Sequence, residues 1–384
     1  MIHEVQGTPP ILFGVGSSEQ AGKKAKELGC KKVLCVFGKN VKKTGFADRI
    51  IEFIKKEGID VVTYNEVVPD PPDDMIEKGA AFAKSEKVDG IIGIGGGSAM
   101  DTTKAINTLL GNPSPITRYL DKSIPLNPGV KMILLPTTAG TGSEVNAISV
   151  ITDTANKKKG GVIGASCVAS VAIVDPKFTF GLPAEITAVT GMDALAHGVE
   201  ALTSKAANPV SDILAEKTIE LVYNNLPKSI EDPDDETART NLSLAAMIAG
   251  IAFNSAPPQL GHAIAHTLGA FYHISHGTLC SVGTPEAVEF VADVLPDKIK
   301  TIGKAMDMDV DGYSPAKLGK AVAERIRKFA RDAGLQPFSK LSVNKDEFDK
   351  IAEKVLQDDC AYFVPKKLDA GKVREILDSA YERK

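Results

Sequence analysis

"VDGIIGIGGGSAMDTTKAI", residues 88–106, passes from a short β-branched run through Gly95, Gly96 and Gly97 into a segment with helical periodicity. Strand, glycine turn and helix in that order make one βα unit, in which glycine lets the backbone turn sharply and approach a ligand closely. The same alternation continues on both sides. "KKVLCVFG", "DVVTYNEV", "KMILLPTT" and "ASVAIVDP" have the composition of strands, with "SSEQAGKKAKELG" and "FADRIIEFIKKEG" as helices among them. Such alternation predicts a parallel sheet covered by helices. After "FTFGLPAEI" strand signals stop and helical periodicity takes over, as in "SDILAEKTIELVYNNL" and "PAKLGKAVAERIRKFARDAG". The expectation is an α/β domain over residues 1–182 followed by an all-α domain over 183–384, and a chain of 384 residues is long enough for two cores.

The helix that opens near Ser98 would present unpaired N–H groups and a positive dipole end, so Gly95, Gly96, Gly97 and Ser98 suit a pyrophosphate. The pattern departs from the usual dinucleotide fingerprint, because Gly93-Ile94-Gly95 leads to Ser98 where a third glycine would stand. A second loop, "LPTTAGTGSE" at 135–144, offers the hydroxyls of Thr137, Thr138, Thr141 and Ser143 to a nucleotide. Both loops follow strands of one sheet and would share its carboxyl edge, where open α/β sheets bind ligands.

The helical half carries a different signal. "GHAIAHTLGAFYHISHG", 261–277, holds four of the chain's 6 histidines, and no Asp, Glu, Lys or Arg occurs between Arg239 and Glu286. A stretch so free of charge is buried, and buried imidazoles need partners. "TAVTGMDALAHGVEAL", 187–202, supplies one: Asp193 and His197 at i and i+4 share a helix face, as do His262 and His266, while His273 and His276 follow across a turn expected at Gly277. A carboxylate and three imidazoles converging from several helices make a site for a divalent metal with room for a substrate oxygen. Spacing alone does not select the three imidazoles from the four clustered ones.

Composition narrows the remaining classes. Forty-five basic against 49 acidic side chains, with a net charge of −4 and no long basic run, speak against nucleic acid. Pro257, Pro258, Gln259 and the histidines interrupt the uncharged run before it could span a membrane. Five scattered cysteines without a C-x-x-C pair suit reduced thiols and a cytoplasmic location.

"GGGSAMDTTKAI", "TTAGTGSE", "GMDALAHGVEA" and "GHAIAHTLGAFYHISHG" together resemble the iron-containing (group III) alcohol dehydrogenase family, in the family's order and spacing and over about residues 9–380. The resemblance implies a dehydroquinate-synthase-like fold, with a nucleotide-binding α/β domain and a C-terminal helical metal-binding domain. It implies metal ligands at Asp193, His197, His262 and His276 and a catalytic non-ligand histidine at His266; Phe253 and Cys360 are expected in an uncharged substrate pocket, with His273, where the family varies, at most lining it. It carries the cofactor contacts onto Gly96, Gly97, Ser98, Asp101, Thr138, Thr141, Ser143, Lys159 and Leu182. The metal so implied is Fe(II), with Zn(II), Mn(II) and Ni(II) as other cations the ligand set accepts. A homodimer or larger homo-oligomer is also implied.

Three departures from the family pattern stand out. Many members place an aspartate on the adenosine ribose at the end of the strand matching "VLCVFGKN", where this chain has Gly38 followed by Lys39, which favours NADP(H) over NAD(H). Ser275 replaces a proline ahead of the last metal histidine, and "DDCAYFVPKKLD" keeps Cys360 without the Asn-Pro-Arg that usually follows. The expected activity is metal-dependent hydride transfer between NAD(P) and a small primary alcohol, diol or aldehyde, with Asp193 the main carboxylate near the metal. Dehydroquinate synthase and glycerol-1-phosphate dehydrogenase share the fold but need basic residues around the metal for an acidic substrate, and 240–285 has none. A metal- and nucleotide-binding protein without turnover is disfavoured by the intact loops and ligand set.

Overall fold

The computed structural model describes residues 2–156 and 158–383. Two compact units divide the chain: Gly7–Thr138 with Gly142–Phe180, and the remainder from Gly181 onward, which also takes in Ala139–Thr141 and the segment ending at Gln6.

The first unit contains strands β1 (Ile11–Phe13), β2 (Lys32–Gly38), β3 (Asp60–Val67), β4 (Gly90–Gly95), β5 (Lys131–Pro136), β6 (Ile148–Asp153), β7 (Lys158–Ile163) and β8 (Val171–Val174). Its helices are α1 (Ala21–Glu27), α2 (Lys39–Lys43), α3 (Phe46–Lys56), α4 (Asp73–Ser85) and α5 (Gly97–Gly111). Six strands form a parallel sheet in the order β1-β8-β5-β4-β2-β3. Alternate side chains of each strand point to opposite faces, and both faces are apolar because each is covered by a hydrophobic core. Val33 and Cys35 pack with Ile94, Ile133 and the Ala47/Ile50/Ile54 stripe of α3, while Leu34 and Val36 pack on the other face with Ile76, Ile106 and Leu134. The antiparallel β6–β7 hairpin and the short β1 were not anticipated from sequence. β7 opens on Lys158, Lys159, Gly160 and Gly161, poor strand formers held by pairing with β6, and β1 is only 3 residues long.

The second unit is helical: α6 (Ala184–Thr203), α7 (Pro209–Glu231), α8 (Glu236–Ser255), α9 (Leu260–Tyr272), α10 (His276–Val291), α11 (Pro296–Ala305), α12 (Pro315–Asp332), α13 (Phe348–Val355) and α14 (Ala370–Glu382). α6 is buried all round from Gly191 to Thr203, which makes it the central helix of its unit. The expected turn at Gly277 lies earlier. His273 ends α9 in the left-handed conformation with φ 55°, and Gly277 is already inside α10. Gly277 is needed there for packing: a methyl group on it would run into the Val189 carbonyl of α6. Ser275 precedes α10 and its hydroxyl bonds the Thr278 hydroxyl at 2.7 Å, giving this turn a polar tie where a proline would have stiffened it.

Candidate metal and nucleotide sites

Asp193 and His197 come from α6, His262 and His266 from α9, and His276 and Cys280 from α10. Each pair is spaced i, i+4, so each helix turns two polar groups toward one point. Asp193 Oδ1 lies 3.9 Å from His197 Nδ1, 3.9 Å from His262 Nε2 and 3.4 Å from His276 Nε2. The Cys280 Sγ is 3.7 Å from the same carboxylate oxygen, 3.9 Å from His262 Nε2 and 3.4 Å from His276 Nε2. Burial, reinforced by neighbouring imidazoles, holds His262 well below the usual histidine range; burial does the same to His276 against the opposing pull of Asp193. Both rings are therefore neutral lone-pair donors at pH 7. His197 Nδ1 is buried without a hydrogen-bond partner, which is costly for a polar nitrogen unless a cation takes its lone pair. The donor set fits a divalent metal. His266 stacks on His276 with ring centroids 5.2 Å apart, and Phe253 stacks on His197 at 4.5 Å. The donor atoms that all lie within 4.8 Å of one another are those of Asp193, His262, His276 and Cys280; the predicted ligand His197 falls outside that set, as does His273, exposed at the end of α9.

In the α/β unit, β4 ends at Gly95, whose φ of 153° favours glycine, and α5 begins at Gly97 without a side-chain cap. Gly96 approaches Thr138 so closely that a Cβ on it would lie 3.1 Å from Thr138 Oγ1, and Thr137 N–H donates to the Gly95 carbonyl at 2.9 Å. The two loops are thus tied together. Ser143 Oγ donates to Asp101 Oδ1 at 2.9 Å and accepts from the wholly buried Lys104 Nζ at 2.9 Å. Burial pushes the Asp101 carboxyl up to about 6 against the lowering effect of Lys104 and Ser143. Thr141 belongs with Ala139 and Gly140 to the helical unit. Lys159 Nζ pairs with Asp70 at 2.7 Å, and the Leu182 carbonyl accepts from Arg239 at 3.0 Å. Gly38 immediately precedes α2, with Lys39, Lys42 and Lys43 exposed.

The sequence matches the iron-containing alcohol dehydrogenase family over residues 8–176 and that family's C-terminal domain over residues 187–381. This chain belongs to the iron-containing alcohol dehydrogenase family. It is 32% identical to an NAD-dependent methanol dehydrogenase of Bacillus methanolicus over 97% of this chain and 98% of the relative. It is 34% identical to a 1,3-propanediol dehydrogenase of Citrobacter freundii over 96% of each. The solved structure of a 1,3-propanediol oxidoreductase superposes with a TM-score of 0.94 at 32% identity, covering 99% of this chain and 100% of the other. An alcohol dehydrogenase from Oenococcus oeni superposes at 0.95 with 31% identity, covering 99% and 100%. The protein is accordingly an alcohol dehydrogenase that depends on a divalent metal and a nicotinamide cofactor. Among the described residues no helix is long and apolar enough to cross a membrane.

For an iron-containing alcohol dehydrogenase the carboxylates prove more numerous than expected. Asp193 is not alone: Glu200, wholly buried on α6, places Oε1 3.0 Å from His262 Nδ1, and its Oε2 accepts the backbone N–H groups of Gln259 and His262. Burial pushes Glu200 up to about 7, with those hydrogen bonds opposing. Asp358 Oδ2 lies 3.1 Å from His266 Nδ1. Burial raises the Asp358 carboxyl, but His266 and the Cys360 N–H together outweigh it and hold the group below its ordinary range. Glu200 had a signal, since it continues the Asp193/His197 face at i+7. Cys280 had one too, at i+4 from His276. Asp358 lies far from His266 in sequence and had none beyond its neighbour Cys360. Lys104 was hidden inside a helix read for its glycine start.

Proposed function

We propose that Asp193, His197, His262 and His276 hold the metal, that His266 relays the substrate proton, and that the substrates are small primary alcohols, diols or the matching aldehydes. The observation that carries this reading is the convergence of three imidazoles on one buried carboxylate, with His197 Nδ1 left without a hydrogen bond. A divalent metal held there, Fe(II) by preference, would supply Lewis acidity toward the substrate oxygen, and a bound nicotinamide would supply the hydride chemistry. The protein's own groups do the rest. Glu200 accepts from His262 Nδ1, which reserves Nε2 as the donating atom. Asp358 likewise accepts from His266 Nδ1, so that His266 Nε2 takes a proton in oxidation and returns it in reduction. Phe253 against His197, with Leu260, Phe271 and Cys360 in the same helical unit, suits an uncharged substrate better than an acid. The methanol and propanediol dehydrogenase relatives support short alcohols and diols.

The glycine loop from Gly95 to Ser98 would hold the pyrophosphate, and Asp101, Thr137, Thr138, Thr141, Ser143, Lys159 and Leu182 the remainder of the cofactor. NADP(H) is the preferred form, because Gly38 offers a 2′-phosphate no opposing carboxylate and Lys39 follows it. Five free cysteines suit a reducing cytoplasm, and the resemblance favours a homodimer or larger.

Metal analysis and steady-state kinetics of single alanine variants test the core of this reading. His262→Ala and His276→Ala should lose the metal, whereas His266→Ala should keep it and lose turnover by roughly 10²–10⁴-fold. Full metal occupancy in both of the first two overturns the ligand set. Loss of metal in His266→Ala overturns the relay.

A further inference from the structure

We propose a second, inhibitory cation site beside the metal centre, formed by His266 Nδ1, a carboxylate oxygen of Asp358 and Cys360 Sγ, which takes a thiophilic divalent cation of the zinc class. Its inhibitory effect rests on the relay role given to His266; its existence does not. Donor atoms of these three residues all lie within 4.8 Å of one another. With His266 Nδ1 and Asp358 Oδ2 already 3.1 Å apart, one ion could take these three donors as corners of a tetrahedron, with water at the fourth. Two of the donors come from one tight turn, where Cys360 N–H bonds Asp358 Oδ1 at 2.9 Å and Oδ2 remains directed at His266. Little reorganisation is needed to bind. The His266 and Asp358 side chains retain 21% and 13% exposure, so the ion can arrive from solvent.

Both clusters contain a sulfur, Cys280 beside Asp193 and Cys360 beside Asp358, and they differ in what that sulfur already bonds. Around Asp193 the unsatisfied atom is an imidazole nitrogen, and the Cys280 thiol already donates to the carboxylate at 3.7 Å. The second cluster joins a sulfur to nitrogen and oxygen, a set that favours zinc or cadmium over harder cations. Binding is balanced as follows: the Cys360 S–H proton passes to water, and the thiolate, the imidazole nitrogen and the carboxylate each donate a lone pair. For Nδ1 to donate, the neutral His266 ring must carry its single proton on Nε2. It then has no lone pair to accept the alcohol proton, and oxidation stops.

The holoprotein with its resident metal, kept anaerobic, is titrated with Cd(II), following thiolate-to-cadmium charge-transfer absorption, cadmium per chain and alcohol oxidation. One further equivalent should bind with that absorption while turnover falls about a hundredfold, and excess small-molecule thiol should reverse both. Cys360→Ser should show neither the absorption nor any cadmium-dependent loss from its own starting rate. Asp358→Asn should weaken the binding, and Cys280→Ser should retain it. The site is overturned if no second equivalent binds, or if the absorption survives in Cys360→Ser and disappears in Cys280→Ser. Cadmium bound through Cys360 with the rate unchanged overturns the inhibition. Full turnover in His266→Ala tells against the relay reading alone, because Cys360-dependent cadmium absorption is read independently of activity.

Discussion

His197 and Cys280 both border Asp193 Oδ1, at 3.9 and 3.7 Å, and either could complete the proposed ligand set of Asp193, His262 and His276. The Cys280 thiol already donates to that carboxylate, whereas His197 Nδ1 is buried with nothing to bond. Elemental analysis should therefore find the metal lost from His197→Ala and kept by Cys280→Ala; the reverse result would give the place to sulfur. A second residue-scale prediction concerns Gly38. A Cβ there would meet only the Val67 carbonyl oxygen at 3.4 Å and Val67 Cβ at 3.9 Å, and φ is −93°, so an aspartate fits without strain. Its charge would repel a 2′-phosphate and accept from ribose hydroxyls, each charge-assisted contact being worth roughly 1.5–3 kcal/mol. Gly38→Asp should move the ratio of kcat/KM values for NADP(H) and NAD(H) toward NAD(H) by about tenfold to a hundredfold. A ratio that ignores the substitution would show that this strand end does not read the phosphate.

At the scale of elements, the pairing of α9 with α10 brings His262 and His276 within reach of one carboxylate. Their crossing is close because glycine faces glycine: a methyl group on Gly283 would run into the Gly261 carbonyl, and one on Gly261 would run into the Glu200 carboxylate. Glu200 is thus pressed against the start of α9, where it also accepts the N–H groups that a helix start leaves unpaired. Gly283→Ala should push the two helices apart, costing about 1–3 kcal/mol by overpacking. Thermal denaturation of the variant should show that loss, and its metal should leave to a chelator faster than from the wild type. An unchanged melting temperature would mean that the helices have room to spare.

Stability against pH is a property of the whole molecule, and here it is weighted by buried carboxyls. Glu144 is 2% exposed, and burial pushes it from 4.5 to about 7 against its own backbone N–H and Lys104. Because the folded value is raised, the native state binds the extra proton. Its stabilising effect is complete below about 4.5 and is lost as pH rises to about 7. Glu144→Gln removes that proton from the balance. Denaturant unfolding across this range should show a slope reduced by about 1.4 kcal/mol per pH unit, with the variant more stable than wild type at pH 8. Equal slopes would place the titration elsewhere, Asp101, Glu200 and Glu286 being the other carboxyls that burial raises.

By itself the sequence determined those features whose cause is local. Short continuous apolar runs ending in glycine or loop residues specify β2, β4 and β5 and the helix start at Gly97, and i, i+4 spacing specifies which side chains of α6 and α9 share a face. The family followed from four such segments in order. Only the tertiary structure decided what depends on contact between distant segments. It brought Asp358 to His266 across 92 positions and Glu200 to His262 across 62. It put Cys280 against Asp193, held β7 in a strand by pairing with β6, and moved the expected turn from Gly277 to His273 because Gly277 is needed where α10 meets α6. A helical or strand period records which way a side chain faces its own element. It carries no record of which group arrives from another element to satisfy it, and for a buried imidazole that arrival fixes the tautomer and hence the chemistry.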